Sequence, residues 1–221
     1  MRTPVHSRRQ AGHTLVELLV ALLVGSIVIA AAYAGYRVFA NYSDKLTLLA
    51  EADRHGVQVM DMITRDLRQA GYKDFASVLG PITSPLTLIP GGNCCGGSVA
   101  SRCDQLVVIY DLSATQRIRV RYVPQPVSTP RGRRCQLMKS QQIWNGAVYS
   151  GGYVNEPVAD WLDGLELTGN SPKSTGTYAG MPQTVDIRLR LRGSRLVGNA
   201  TQPIPKTYET RTQVRNVALV P

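Results

Sequence analysis

Residues that carry chemistry are scarce in this chain. It has three histidines in 221 residues. His6 and His13 precede a long apolar run, and His55 sits in a helical pattern. None belongs to a recognisable Ser/His/Asp grouping, and no glycine-rich phosphate loop is visible. The sequence therefore carries no enzyme signature, and no cofactor is expected. The four cysteines lack the C-x₂-C spacing of a zinc site: Cys94 and Cys95 adjoin, Cys103 lies eight residues on and Cys135 thirty-two beyond that. No metal centre is expected from that pattern. Acids are also in deficit, 15 against 25 Lys plus Arg, for a net charge of +10. Arg2, Arg8 and Arg9 precede the apolar run, so the remainder carries 22 against 15, or +7. That surplus suits nucleic acid, anionic lipid or an acidic protein without choosing among them. With 43% apolar and 18% charged residues, the composition is that of a folded chain rather than a disordered one.

What is abundant is apolar sequence near the N-terminus. Leu18 to Tyr36 is 19 residues without a charge. At 1.5 Å rise per residue this helix would span roughly 28 Å, close to the thickness of a bilayer core. A cleaved secretory signal is the rival reading, supported by Ala32-Tyr33-Ala34 and the basic pair Arg8-Arg9. A signal's apolar region is usually shorter, and it needs no acid, yet Glu17 stands at the start of this one. The three preceding arginines predict a cytoplasmic N-terminus and an exported remainder.

The helical pattern continues past the run. Leu49, Ala52, Gly56, Val59, Met60, Ile63, Leu67 and Ala70 form one apolar stripe. Asp53, Arg54, Gln58, Asp61, Arg65, Asp66 and Arg68 fall off it, and Gly71 provides a stop. The pattern predicts one helix from about Thr14 to Ala70. Its first half is apolar all round and its second half amphipathic, with Asn41 to Asp44 the weakest stretch. Residues 13–40 are read as the membrane part and 41–71 as the amphipathic part.

Glu17 is the anomaly. An ionised side chain in lipid costs about 2.5–3.5 kcal/mol on the milder insertion scale, so a partner is to be sought. The bland alternative is an interfacial acid favoured by the positive end of the helix dipole. The string "AGHTLVELLVALL" decides between them, because it resembles the class III signal of the type IV pilin superfamily. That resemblance implies a leader of residues 1–12, cleavage between Gly12 and His13 by a membrane prepilin peptidase, and N-methylation of His13. It also implies that Glu17 pairs with the terminal amine of an adjacent subunit. Two charges costly in lipid become tolerable as a pair, and a pair formed at one axial offset sets register. The departure is His13, where the family usually has Phe.

From Tyr72 the periodicity changes to two. Gln105–Leu112 and Gln116–Val123 read as a hairpin through Ser113-Ala114-Thr115, and Thr184–Gly193 alternates again. Thr207–Val220 offers one or two further strands. Weaker strands are expected at Leu86–Ile89, Cys135–Lys139 and Ala147–Tyr149, and Leu162–Leu167 reads as strand or turn. Gly91–Arg102, Pro124–Arg134 and Gly169–Pro182 read as loops. The expected architecture is α+β: an antiparallel sheet in residues 72–221 whose dry face the helix stripe covers, in agreement with the pilin-like fold that the resemblance implies. The cysteines of an exported domain read as disulfides, either Cys94–Cys103 with Cys95–Cys135, or Cys95–Cys103 with Cys94–Cys135.

The spine segment "RHGVQVMDMITRDLRQAGY", with "VADWLDGLELTG" and "TQVRNVAL", resembles PilW-like minor pilins and the J-type minor pseudopilin of type II secretion. This implies a low-abundance subunit of a priming or tip complex. Its partners would be other minor pilins and the major pilin through the N-terminal helix, the prepilin peptidase, and a tip adhesin. It would reside in the inner membrane with its C-terminal domain in the periplasm, and then in the fibre. Two arginine rows at strand spacing, Arg117, Arg119 and Arg121, and Arg188, Arg190 and Arg192, outline a basic interaction face if their strands are neighbours. No aromatics interleave with them, which favours a solvated face or an acidic subunit over nucleic acid.

Overall fold

The computed structural model describes residues 14–92, 94, 102–129, 132–144, 146–151, 155–192 and 205–216. They form a helix, α1 (Leu15–Gln69), and strands β1 (Leu86–Ile89), β2 (Gln105–Ser113), β3 (Gln116–Thr129), β4 (Gly132–Trp144), β5 (Tyr149–Ser150), β6 (Glu156–Ala159), β7 (Leu162–Pro172), β8 (Pro182–Arg192) and β9 (Pro205–Gln213). The architecture is α+β, a long helix with an apolar N-terminal half followed by antiparallel sheets in a pilin-like arrangement. The chain divides into two compact units, Met1–Leu46 and Thr47–Pro221.

The first unit is the apolar half of α1. Leu15–Thr47 is a 33-residue stretch long and apolar enough to cross a membrane. Its large side chains, from Leu15 through Leu46, are exposed. One of its polar side chains, Ser26, is suited to a dry setting. The Ser26 hydroxyl donates to the Leu23 carbonyl at 2.8 Å, so the helix itself satisfies it. The helix runs through Asn41–Asp44 without a break.

The second unit begins with the other half of α1. Val59, Met60, Ile63, Leu67 and Ala70 are buried, following the period of the sequence stripe. Gly71 then ends the helix at φ 75°, a left-handed conformation that glycine adopts without a Cβ clash.

The strands make two sheets, where one was expected. The larger has the order β1-β2-β3-β4-β5, with β6 also on β4; the smaller has the order β7-β8-β9. All strand pairings are antiparallel. The chain passes between sheets at Asp160 and Trp161, and Trp161 takes φ 58°. This turn ends the pairing of β6 on β4 and aims β7 at β8 instead. Leu106, Val108, Tyr110, Ile118, Val120 and Tyr122 of the large sheet share a core with Leu165, Val185, Ile187 and Leu189 of the small one, and α1 contributes Ile63 and Leu67.

Two segments expected as loops contribute strand instead. β3 continues to Thr129 through Pro124 and Pro126, and β4 starts at Gly132. The prolines are tolerated because the pairing of β2 on β3 ends at Tyr122, leaving this stretch paired with β4 alone. Prolines two apart direct their missing N–H groups to the same side, and an open side loses no ladder bond. Likewise β7 extends to Pro172 and β8 starts at Pro182.

Candidate assembly site

At the start of α1, Thr14 is the N-cap. Its Oγ1 accepts the Glu17 N–H at 3.3 Å, and its carbonyl accepts the Leu18 N–H at 3.2 Å. Thr-Leu-Val-Glu therefore has the spacing of a capping box, with Glu17 at the third helical position. This local role was readable in the sequence, since a Thr three residues before a Glu at the head of an apolar run is its signature. Glu17 consequently has two physical reasons to be there. It supports the helix start, and it places a carboxylate at the head of a segment whose apolar side chains have no cover within the first unit. Gly12 and His13, the expected cleavage pair, lie outside the described residues.

In the second unit the same helix carries a buried carboxylate that the pattern reading assigned to the polar side. Asp66 is 4% exposed. It accepts the Tyr122 hydroxyl at 2.6 Å and the Tyr110 hydroxyl at 3.4 Å, and pairs with Lys139 Nζ at 2.9 Å. Burial first, then the Asp66 charge, pushes both phenols well above their ordinary range. Asp66 joins α1 to β2, β3 and β4 at once. The signal for it was spacing: Val59, Ile63, Asp66 and Ala70 are four, three and four apart, which is the stripe itself.

A second contact joins α1 to the small sheet. Tyr208 on β9 lies against Gly56, where a Cβ would overlap its ring, and its hydroxyl donates to Asp53 at 3.0 Å. Lys206 also pairs with Asp53. Hydrogen bonding from Lys206 is the chief reason the Asp53 carboxyl is held below its ordinary value.

The cysteines and a buried aspartate tie the segment before β2 to the small sheet. Cys94 and Cys103 form a disulfide with a Cα–Cα distance of 5.1 Å. Cys135 is also disulfide-bonded, while Cys95 lies outside the described residues. Cys103 makes a parallel bridge to Leu165 of β7. Beside it the buried Asp104 accepts the N–H groups of Gly91 at 2.9 Å and Leu167 at 2.8 Å, and pairs with Arg102.

The arginine rows do not form the expected face. Arg117, Arg119 and Arg121 lie on β3, and Arg188, Arg190 and Arg192 on β8, in different sheets. Arg117 is 6% exposed; its Nε donates to Asp111 at 2.6 Å and its Nη2 to the Gly80 carbonyl at 2.6 Å. Arg121 donates to Gln105 at 2.8 Å. Arg188 pairs with Glu209 and Glu166, and Arg192 with Asp163. Arg190 is half-buried. Alternation put each row on one strand face correctly, but the cross-strand acids that neutralise much of this charge belong to other strands.

The head of the chain decides the family signal. Residues 7–33 match the prokaryotic N-terminal methylation motif. This methylation motif covers the capped start of α1, including Glu17, and most of the exposed apolar half. It supports a type IV pilin or pseudopilin, a structural subunit that is anchored by its apolar helix and assembles with other pilins. No curated protein and no solved structure matches the chain.

Proposed function

We propose that this chain is a minor type IV pilin of the PilW-like kind, a low-abundance subunit of the complex that primes fibre assembly and sits at the tip. What carries the reading is the methylation motif on a helix half whose apolar side chains are exposed, with a carboxylate at its head. Prepilin peptidase cuts between Gly12 and His13, and the new amine of His13 is methylated. Before assembly the apolar half lies in the inner membrane, with the second unit in the periplasm. During assembly it moves into the packed helices of the fibre, and Glu17 pairs with the terminal amine of a neighbour. A tip adhesin is the partner expected beyond the minor and major pilins.

Mass spectrometry of the mature N-terminus tests the processing. His13 is expected first; a start at Gly35, just after Ala32-Tyr33-Ala34, means an ordinary signal peptide. Two variants separate the roles of Glu17. Glu17→Gln keeps a capping-box side chain but removes the charge, whereas Glu17→Ala removes both. Both are expected to be processed and then lost from the assembled complex. Recovery of assembly by the glutamine variant shows that Glu17 acts through the helix cap alone. The J-type pseudopilin of type II secretion shares the motif and is the second reading. Deletion of the gene separates them: loss of pili supports the first reading, and loss of secreted enzymes with pili intact supports the second.

A further inference from the structure

A cleft of 630 Å³ opens on the large sheet, walled by residues 78–84 on one side and by Arg119, Trp144 and Tyr149 on another. Register explains the cluster. Arg119 on β3 is the partner of Gln142 on β4, and Trp144 on β4 is the partner of Tyr149 on β5. Positions 142 and 144 share a strand face, so the guanidinium and both aromatic rings stand together. The Arg119 guanidinium lies 3.9 Å from the centre of the Tyr149 ring, and the two aromatic rings are 4.9 Å apart at 57°.

The cleft is electrostatically one-sided. None of its described lining residues is an acid. Arg117, the other cation of the lining, is already neutralised by Asp111. Besides its contact with Tyr149, Arg119 makes a long hydrogen bond to Gln142, 3.5 Å, and has no carboxylate partner among the described residues. Stacking on Tyr149 holds its plane, which leaves a preorganised fork of N–H donors of the geometry that a carboxylate accepts in pairs. Around it the lining mixes polar groups, Thr83 and Ser84, with apolar ones, Ile82, Ile109, Trp144 and Val78, which is 80% exposed.

We propose that this cleft docks an acidic peptide segment of a partner protein, one Asp or Glu side chain on Arg119 and a neighbouring apolar side chain beside Trp144. The charge complementarity is that of a single anion. Nucleic acid needs a continuous basic track, and the arginines beside Arg119 are bonded to Asp111 and Gln105. Trp144 and the exposed Val78 favour a peptide that brings an apolar side chain with its charge.

The chain has two tryptophans, Trp144 and Trp161. The full-length protein in detergent, labelled with 5-fluorotryptophan, therefore gives two ¹⁹F resonances, assigned with Trp144→Phe. The blocked hexapeptide DELFDE is expected to shift the Trp144 resonance and leave that of Trp161 in place. Its neutral counterpart NQLFNQ is expected to bind roughly tenfold more weakly, and Arg119→Gln to weaken DELFDE by a similar factor. Arg119→Lys keeps the charge but not the fork and should fall between. The two-peptide comparison needs no mutation, so it stands even where the Arg119 variants fold poorly. An unmoved Trp144 resonance, equal binding of the two peptides, or displacement of DELFDE by a single-stranded oligothymidylate overturns the proposal.

Discussion

The two halves of α1 obey opposite rules. From Leu15 to Leu46 the helix is the most apolar part of the chain, and its large side chains are exposed. From Thr47 to Gln69 it is studded with charges, yet Val59, Ile63, Leu67 and even Asp66 are buried. Hydrophobicity and burial thus separate within a single element. The first half has its solvent outside the monomer, in lipid or in neighbouring helices, because an apolar helix has no reason to stay in water. The second half has its solvent inside the fold, where two sheets provide apolar cover and paired groups for each buried charge.

The largest expected effect falls on the second half. Replacing Asp66 by Ala leaves Lys139 and two buried phenols without their acceptor and should lower stability by about 3–5 kcal/mol in chemical denaturation. A loss below about 1 kcal/mol would mean that Asp66 is a bystander to the helix–sheet contact. Tyr122→Phe removes one of the bonds and is expected to cost about 1.5–3 kcal/mol at neutral pH. It also carries a pH signature. A phenol whose folded pKa is raised contributes stability that is complete below the ordinary value of 10.0 and fades as pH climbs above it. The wild-type protein should therefore weaken above pH 10, and the phenylalanine variant should weaken less steeply.

Glycines on the same helix sharpen the contrast. Gly56→Ala drives a methyl group into the Tyr208 ring and should cost about 1–3 kcal/mol. Gly25→Ala meets nothing within 4 Å and should leave the thermal midpoint unchanged. Equal effects at the two sites would erase the distinction between the halves. A small effect is expected on the exposed face of the small sheet. Arg211, chiefly by hydrogen bonding, holds the Asp186 carboxyl below its ordinary 3.8. A depressed carboxyl contributes stability above 3.8 that is lost as pH falls through the folded value. Asp186→Asn should slightly lower stability at pH 7, where the ionised carboxylate contributes, and flatten the acid titration of stability below pH 4.

Much of this was legible beforehand. The helix stripe, the β2–β3 hairpin and the alternation of Val185, Ile187, Leu189 and Leu191 follow from a period, and a period is a property of one element. Asp66 and Arg117 depart from their sequence pattern for a shared reason. Residue type assigned them to water, but their acceptors and donors arrive from elsewhere: Tyr122 is 56 residues from Asp66, and Gly80 is 37 from Arg117. Pro124 and Pro126 stand in a strand because proline breaks strands only where both sides are paired, and here only β4 is a partner. The cleft at Arg119 is invisible in β3 alone because its aromatics come from β4 and β5, while the one aromatic of β3, Tyr122, is buried against Asp66.

By itself the sequence determined the capped apolar helix, the acid at its head, the stop at Gly71 and the faces of the main strands, all set by local spacing. Only the tertiary structure decided that the strands form two sheets, that Asp66 and Arg117 are buried, that Cys94 meets Cys103, and that Arg119 stands beside Trp144 and Tyr149. Those outcomes depend on which distant segments meet, and burying a charge is affordable only where another segment supplies its partner.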